Sequence, residues 1–145
     1  MIAIAISFSL ATVIFMRVAL FMYHRWRVYK STELYEHEDI LAVCDRVAMH
    51  IIPTGTVTSL LQAGRTFRLR GKIVMSQERL ILGSPIGRII EISAHSPGQA
   101  KALGTQRLLI IGQHPSQSGE IRVELVIEDE QKWAREIQNI CRGAT

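Results

Sequence analysis

The chain predicts a mainly β fold: six or seven short antiparallel strands closed by one C-terminal amphipathic α-helix, with a single apolar helix ahead of them. Three observations carry this. Ile2–Met16 contains no charged residue. Residues 40 to 128 break into short apolar runs separated by Gly, Pro and Ser turns. From Asp129 to Arg142 the apolar residues change to helical spacing.

The first apolar run resumes beyond Arg17 as Val18–Tyr23. As a helix, residues 2 to 23 would reach about 33 Å, against a bilayer core of roughly 30 Å. A soluble helix would need a polar face, and this segment has almost none. A cleaved signal peptide places basic residues before its apolar stretch and a small-x-small site after it. Here the cluster His24-Arg25-Trp26-Arg27 follows the run, and no such site is present. The expectation is an uncleaved transmembrane anchor over residues 1 to 30, with a basic, aromatic juxtamembrane end.

Charge sets its direction. Of 17 Lys and Arg, only Arg17, Arg25, Arg27 and Lys30 fall in the first 31 residues, which hold no acid; the remaining 13 balance the 13 Asp and Glu. The net charge of +4 therefore belongs to the anchor. The positive-inside bias puts the N-terminus outside the cell (inner) membrane and the body in the cytoplasm. Tyr23, Trp26 and Tyr29 fit an interfacial belt, and Arg25, Arg27 and Lys30 each gain about 1 kcal/mol near anionic lipid. Cys44 and Cys141 show no close pairing pattern, as suits a reducing compartment. Arg17 lies about 9 Å from Tyr23 along a helix and can snorkel to the headgroups. The alternative is contact with a polar group on a neighbouring membrane helix. Ala3, Ser7 and Ala11 form a small-xxx-small ladder that would admit such a neighbour.

Residues 31 to 39, STELYEHED, read as a polar spacer, and residues 40 to 142 as one domain. Ile40–Ile52 is apolar with both periods visible and fits a strand or a helix. Thr56–Gln62 is a weak strand candidate. Gly71–Leu82 reads as a hairpin, GKIVM then RLIL, turning at Ser76-Gln77-Glu78. Arg88–Ser93 and Gln106–Gly112 are further strands. The clearest runs from Glu120 to Glu128: Ile121, Val123, Leu125 and Ile127 point to one face, and Glu120, Arg122, Glu124 and Glu128 to the other. In the terminal helix Trp133, Ile137, Ile140 and Cys141 share a stripe. Asp129 and Glu130 suit its positive end, Arg142 the opposite end, and Gly143 its termination.

On GKIVMSQERLIL (71 to 82), RIIEIS (88 to 93) and EIRVELVIEDEQKWAREIQNI (120 to 140), the body resembles the pleckstrin-homology-like superfold in its bacterial and GRAM-type forms. The resemblance implies a seven-stranded, bent antiparallel barrel or sandwich whose open end is plugged by the C-terminal helix.

Catalytic signatures are absent from the sequence. No phosphate-binding glycine loop or G-x-S-x-G elbow occurs, no C-x-x-C exists, and no two of the five histidines lie three or four residues apart. No cofactor or metal is expected. Between Arg65 and Arg107 eight basic residues face only Glu78 and Glu91. Arg68, Arg70 and Lys72 alternate with apolar residues, so on a strand they form one basic stripe; Arg65, just before them, belongs to the same candidate surface. That stripe is either an ordinary solvated face or a surface for anionic lipid or a partner. Scarce aromatics in this block argue against single-stranded nucleic acid. The expected function is a non-catalytic, single-pass membrane protein whose body docks other proteins as an accessory or assembly subunit, with loops 83 to 88, 94 to 105 and 113 to 119 as contact surfaces. The alternatives are an anionic-lipid-binding module and a membrane-anchored enzyme, the latter marked by a pocket holding His50 or His95 beside an acid.

Overall fold

The computed structural model describes the backbone of residues 2–34, 37–54, 66–115 and 119–143, and the side chains of these from residue 10 onward apart from 53 and 54. In order come α1 (Ile2–Ser31), β1 (Ile40–Thr54), β2 (Phe67–Ser76), β3 (Arg79–Ser84), β4 (Gly87–Ser93), β5 (Gln99–Gly104), β6 (Arg107–Gln113), β7 (Glu120–Val126) and α2 (Glu130–Arg142). The strands form one open antiparallel sheet in the order β4-β3-β2-β1-β7-β6-β5.

The long central strand organises it. β1 pairs with β2 from Ile40 to Ile51 and with β7 from Ala48 to Thr54. Its register with β2 slips between Ile40 and Ala42 and again between Cys44 and Val47. At the second slip Arg46 takes a left-handed φ of 58°. Such bulges bend a strand and increase its twist. Just beyond, Val47 faces Gly71, where no side chain fits: a Cβ would meet the Gly83 carbonyl and come within 2.7 Å of the Met49 Cε.

The sheet curls until its two ends approach. A side chain at Gly112 would come within 2.7 Å of Ile90, and one at Gly98 within 2.6 Å of Ile92. Inside lies one apolar core that includes Met49, Ile51, Ile73, Leu82, Ile90, Leu108, Val123 and Leu125. α2 lies mainly on β5, adding Ala134, Ile137 and Ile140, with Trp133 and Cys141 partly buried beside them. It also covers the exposed edge of β5. Gln138 Nε2 donates to the Ala100 carbonyl at 3.3 Å, and Cys141 Sγ donates to the Gly98 carbonyl at 3.3 Å. Occupied carbonyls and a covering helix make this edge a poorer template for pairing with another chain.

β2 and β3 are buried on both faces. Ile73-Val74-Met75 and Leu80-Ile81-Leu82 are consecutive buried runs, which a one-sided sheet would not tolerate. Alternation places Val74 and Ile81 outside the core, where the last turns of α1 lie on β3, β4 and β2.

Several expectations meet this structure directly. β7 alternates as read, with Ile121, Val123 and Leu125 fully buried. α2, the β2–β3 hairpin, β4 and β6 stand where predicted, and the ambiguous Ile40–Ile52 segment is strand β1. β5 was not expected, because it lies inside the stretch read as the 94–105 loop. The Thr56–Gln62 strand lies outside the described residues.

The structure does not show the expected transmembrane anchor. Among the described residues no helix is long and apolar enough to cross a membrane. From Leu10 to Ser31 the helix carries Arg17, Arg25, Arg27 and Lys30. The charge-free run behind the expectation is Ile2–Met16, and the side chains of Ile2–Ser9 lie outside the described residues.

Packing density makes three outcomes testable. Ile137 is fully buried and Val126 is 57% exposed. Urea unfolding of the full chain in mild detergent should show Ile137→Ala losing about 3 kcal/mol and Val126→Ala less than about 0.5 kcal/mol. Gly71→Val, which forces a branched side chain onto backbone, should cost about 3 kcal/mol.

Candidate functional site

The candidate functional region begins where α1 ends. Ser31 and Thr32 are 8% and 5% exposed, pressed onto Gly83, where any side chain would collide with both. Their hydroxyls close the helix by donating to the Val28 carbonyl at 2.7 and 3.1 Å. Arg88, on β4, then caps it: Nε donates to the Ser31 carbonyl at 3.0 Å and Nη2 to the Glu33 carbonyl at 3.1 Å. A cation belongs at this negative end of the helix dipole. Arg88 is itself held by Glu91 at 2.6 Å, which also binds Arg79 at 2.9 Å, and Arg79 reaches Glu38 at 3.0 Å. From α1, Arg27 Nε donates to the Pro85 carbonyl at 3.2 Å. The polar segment expected as a spacer is thus fastened to the body through Ser31, Thr32, Glu33 and Glu38.

This seat creates a groove of about 940 Å³ between α1 and the bulged stretch of β1 and β2. Phe21, Arg25, Trp26 and Tyr29 form the helical wall; Asp45, Arg46, Arg70 and Lys72 form the strand wall. The sole carboxylate among its lining residues, Asp45, lies 3.5 Å from Lys72. Arg25 sits 5.9 Å from the Phe21 ring centroid. A second open cleft of about 470 Å³ continues across the outer sheet face, lined by His50, Arg68, Arg70, Arg107 and Glu124 among others. Arg107 pairs with Glu124 at 2.6 Å. Arg70 lines both hollows, so they share one basic surface.

The structure brings together some of the predicted residues and separates others. Arg25, Trp26 and Tyr29 meet Arg70 and Lys72 in the groove. Tyr23 stacks near Trp26 at 6.2 Å, Arg27 turns to Pro85, and Lys30 pairs with Glu33 at 3.1 Å. Arg68 faces the second cleft. Arg65 lies outside the described residues, as do the side chains of Ala3 and Ser7. Ala11 and Arg17 are exposed on α1. Arg46 was missed by sequence reasoning. Its signal was Asp45-Arg46, two consecutive polar residues interrupting an apolar strand, the mark of a bulge.

The chemistry on offer is recognition of charge. His50 stands between Arg68 and Glu124 in register, but Glu124 is taken by Arg107, and no hydrogen bond joins it to His50. His95 is exposed in the β4–β5 connection. Burial, followed by Asp45 and Glu128, raises the Cys44 thiol above its ordinary pKa, the opposite of an activated nucleophile. Burial lowers the His114 pKa. His37, Glu38 and Glu78 place potential ligand atoms within 4.8 Å of one another. Glu38, however, already accepts from Ser76 at 2.9 Å and pairs with Arg79. No protein-family model matches the chain, and no curated protein matches it.

The capping role of Arg88 has a direct measure. Arg88→Met keeps the aliphatic stem and removes both carbonyl contacts. Hydrogen exchange at Tyr29–Glu33 should accelerate at least about tenfold, corresponding to the 1.5–3 kcal/mol typical of charge-assisted bonds, while exchange within β7 stays unchanged.

Proposed function

We propose that this protein is a membrane-anchored, non-catalytic docking module. In this reading α1 enters the cell membrane from the cytoplasmic side, and the β body stays at the membrane surface as an accessory or assembly subunit of a membrane complex. The observation that carries it is the uncovered apolar surface of α1. Val13, Ile14, Phe15 and Met16 are each at least 50% exposed, and four consecutive helical residues face every direction. A helix apolar all round is buried in a protein or a membrane, and among the described side chains the body covers only the last turns of α1. The charge-free sequence Ile2–Met16 supplies the remaining length, with Tyr23, Trp26 and Tyr29 at the interfacial level.

A pleckstrin-homology-like identity for the body belongs to the same proposal. Its support is a curled sheet of seven antiparallel strands with the C-terminal helix packed where the sheet ends approach. The anionic-lipid reading is favoured by a different observation, the basic groove at the foot of α1.

Two measurements test the reading. The full chain should float with neutral phosphatidylcholine vesicles and resist alkaline carbonate extraction; release by carbonate or by high salt contradicts the anchor. Gentle-detergent purification from its native membrane should return a stoichiometric membrane-protein partner, whereas a clean monomer contradicts docking.

A further inference from the structure

We propose that the first part of β1, Ile40–Cys44, is an open sheet edge that takes up an extended apolar segment of a partner protein with basic residues at its ends. The proposal rests on the docking reading of the body and gives that docking a site and a partner chemistry.

Unpaired backbone is the first argument. β1 pairs with β2 from Ile40 onward but with β7 only from Ala48. On the β7 side, Ile40–Cys44 therefore has no strand neighbour among the described residues. β7 turns away instead: the Ile127 N–H donates to the Gln106 carbonyl, in the β5–β6 turn, at 2.8 Å. Alternate residues of an antiparallel strand direct their N–H and C=O groups to each side, so the open side of β1 presents donors and acceptors. Proteins blunt such edges with charges, prolines, bulges or a covering helix. α2 covers β5 in this way. On β1 the register slips bracket Ala42–Cys44, which stays in regular pairing with β2, and Ile40–Cys44 holds no charge and no proline.

Uncovered apolar side chains are the second. Ile40, Leu41 and Val43 are 60%, 53% and 42% exposed, while Ala42 and Cys44 pack against the core. An added strand would extend both faces of the sheet. Its outward side chains would cover Leu41 and Val43, and its inward ones would lie beside Ala42 and Cys44. Main-chain bonds then supply the attachment and the apolar contacts the selectivity. A lipid chain is a poor occupant, because hydrocarbon offers nothing to the open N–H and C=O groups.

Charge is the third argument, and it chooses the occupant. Asp39 precedes the stretch and Asp45 follows it; Glu128 and Asp129 stand where β7 leaves β1, and all four are exposed. Asp45 and Glu128 both act on the Cys44 thiol, which places them beside the open edge. Asp45 is shared with Lys72 at 3.5 Å, whereas no ion pair engages Asp39, Glu128 or Asp129 among the described residues. Arg46, the neighbouring cation, lines the groove facing α1. Basic residues at both ends of the incoming segment would answer these acids. A second copy answers them badly. Two-fold antiparallel pairing of Ile40–Cys44 with itself centres on Ala42 and sets Asp39 against the second copy's Asp45, and like charges directly opposite are destabilising.

The test uses the full chain in mild detergent and the terminally blocked peptide KRVTVTVKR. Its binding should slow hydrogen exchange within Ile40–Cys44 at least about tenfold and leave β5 unchanged. Methylating the peptide's nitrogens along one edge keeps its sequence and charge but removes at least two hydrogen bonds, each worth about fivefold. That peptide should bind at least about tenfold more weakly, and so should the acid-ended DEVTVTVDE. Leu41→Lys/Val43→Lys alters two exposed side chains, so the variant should fold as wild type does and lose the peptide. Equal binding of the methylated peptide overturns strand pairing, and equal binding of the acid-ended one overturns the partner chemistry. Protection confined to another region overturns the site. A wild-type dimer in sedimentation that excludes the peptide gives the edge to a second copy and overturns the proposal too. Recovery of one partner from the native membrane equally by wild type and by Leu41→Lys/Val43→Lys keeps docking but overturns this site. Peptide protection at the edge with no partner recovered contradicts the docking reading itself.

Discussion

The contact on which the rest depends is the seat of α1 on Gly83. An absent side chain lets Ser31 and Thr32 lie against β3, and Arg88 then bonds the helix end to β4. Without the seat, α1 would be joined to the body only by a polar segment, and its Arg25, Trp26 and Tyr29 would have no fixed relation to Arg70 and Lys72. With it, two basic regions far apart in sequence become the walls of one groove. The Arg88–Glu91–Arg79–Glu38 chain is half-buried, so its members are screened less than surface pairs and each has more than one partner.

A second constraint is the bulged central strand. β1 must serve β2 along most of its length and β7 along its far half. The slips near Ile40 and Arg46 let the strand turn between these duties, so the sheet curls and its ends meet through Ile90, Ile92, Gly98 and Gly112. The same deformation that closes the core displaces Arg46 into the groove. Fold and site therefore share one cause.

What was legible in the sequence follows from where the burial signal was local. β7 was plain because its two faces see different solvents, core and water, residue by residue. α2 was plain because its single apolar stripe has the period of the helix. β1 was ambiguous because two bulges break the period of two. β5 was hidden because Gln99, Ala100, Lys101, Ala102 and Gly104 have little intrinsic strand preference; its conformation is supplied by pairing with β6 and by α2 above it. For the site, the cluster from Arg25 to Lys30 and the stripe from Arg68 to Lys72 were each visible. Their meeting was not, since it depends on a glycine and an arginine, Gly83 and Arg88, that carry no motif.

The central claim is that α1 and the body form one rigid unit at the seat. Double electron–electron resonance on the full chain in nanodiscs tests it most directly. Spin labels would be placed at exposed positions by Leu20→Cys and Lys101→Cys, with Cys44 and Cys141 replaced by Ser. A single narrow distance distribution is predicted, broadening when Gly83→Leu displaces Ser31 and Thr32. A broad distribution in the unmodified seat, the same with and without Gly83→Leu, would show that α1 swings on a tether and would contradict the account.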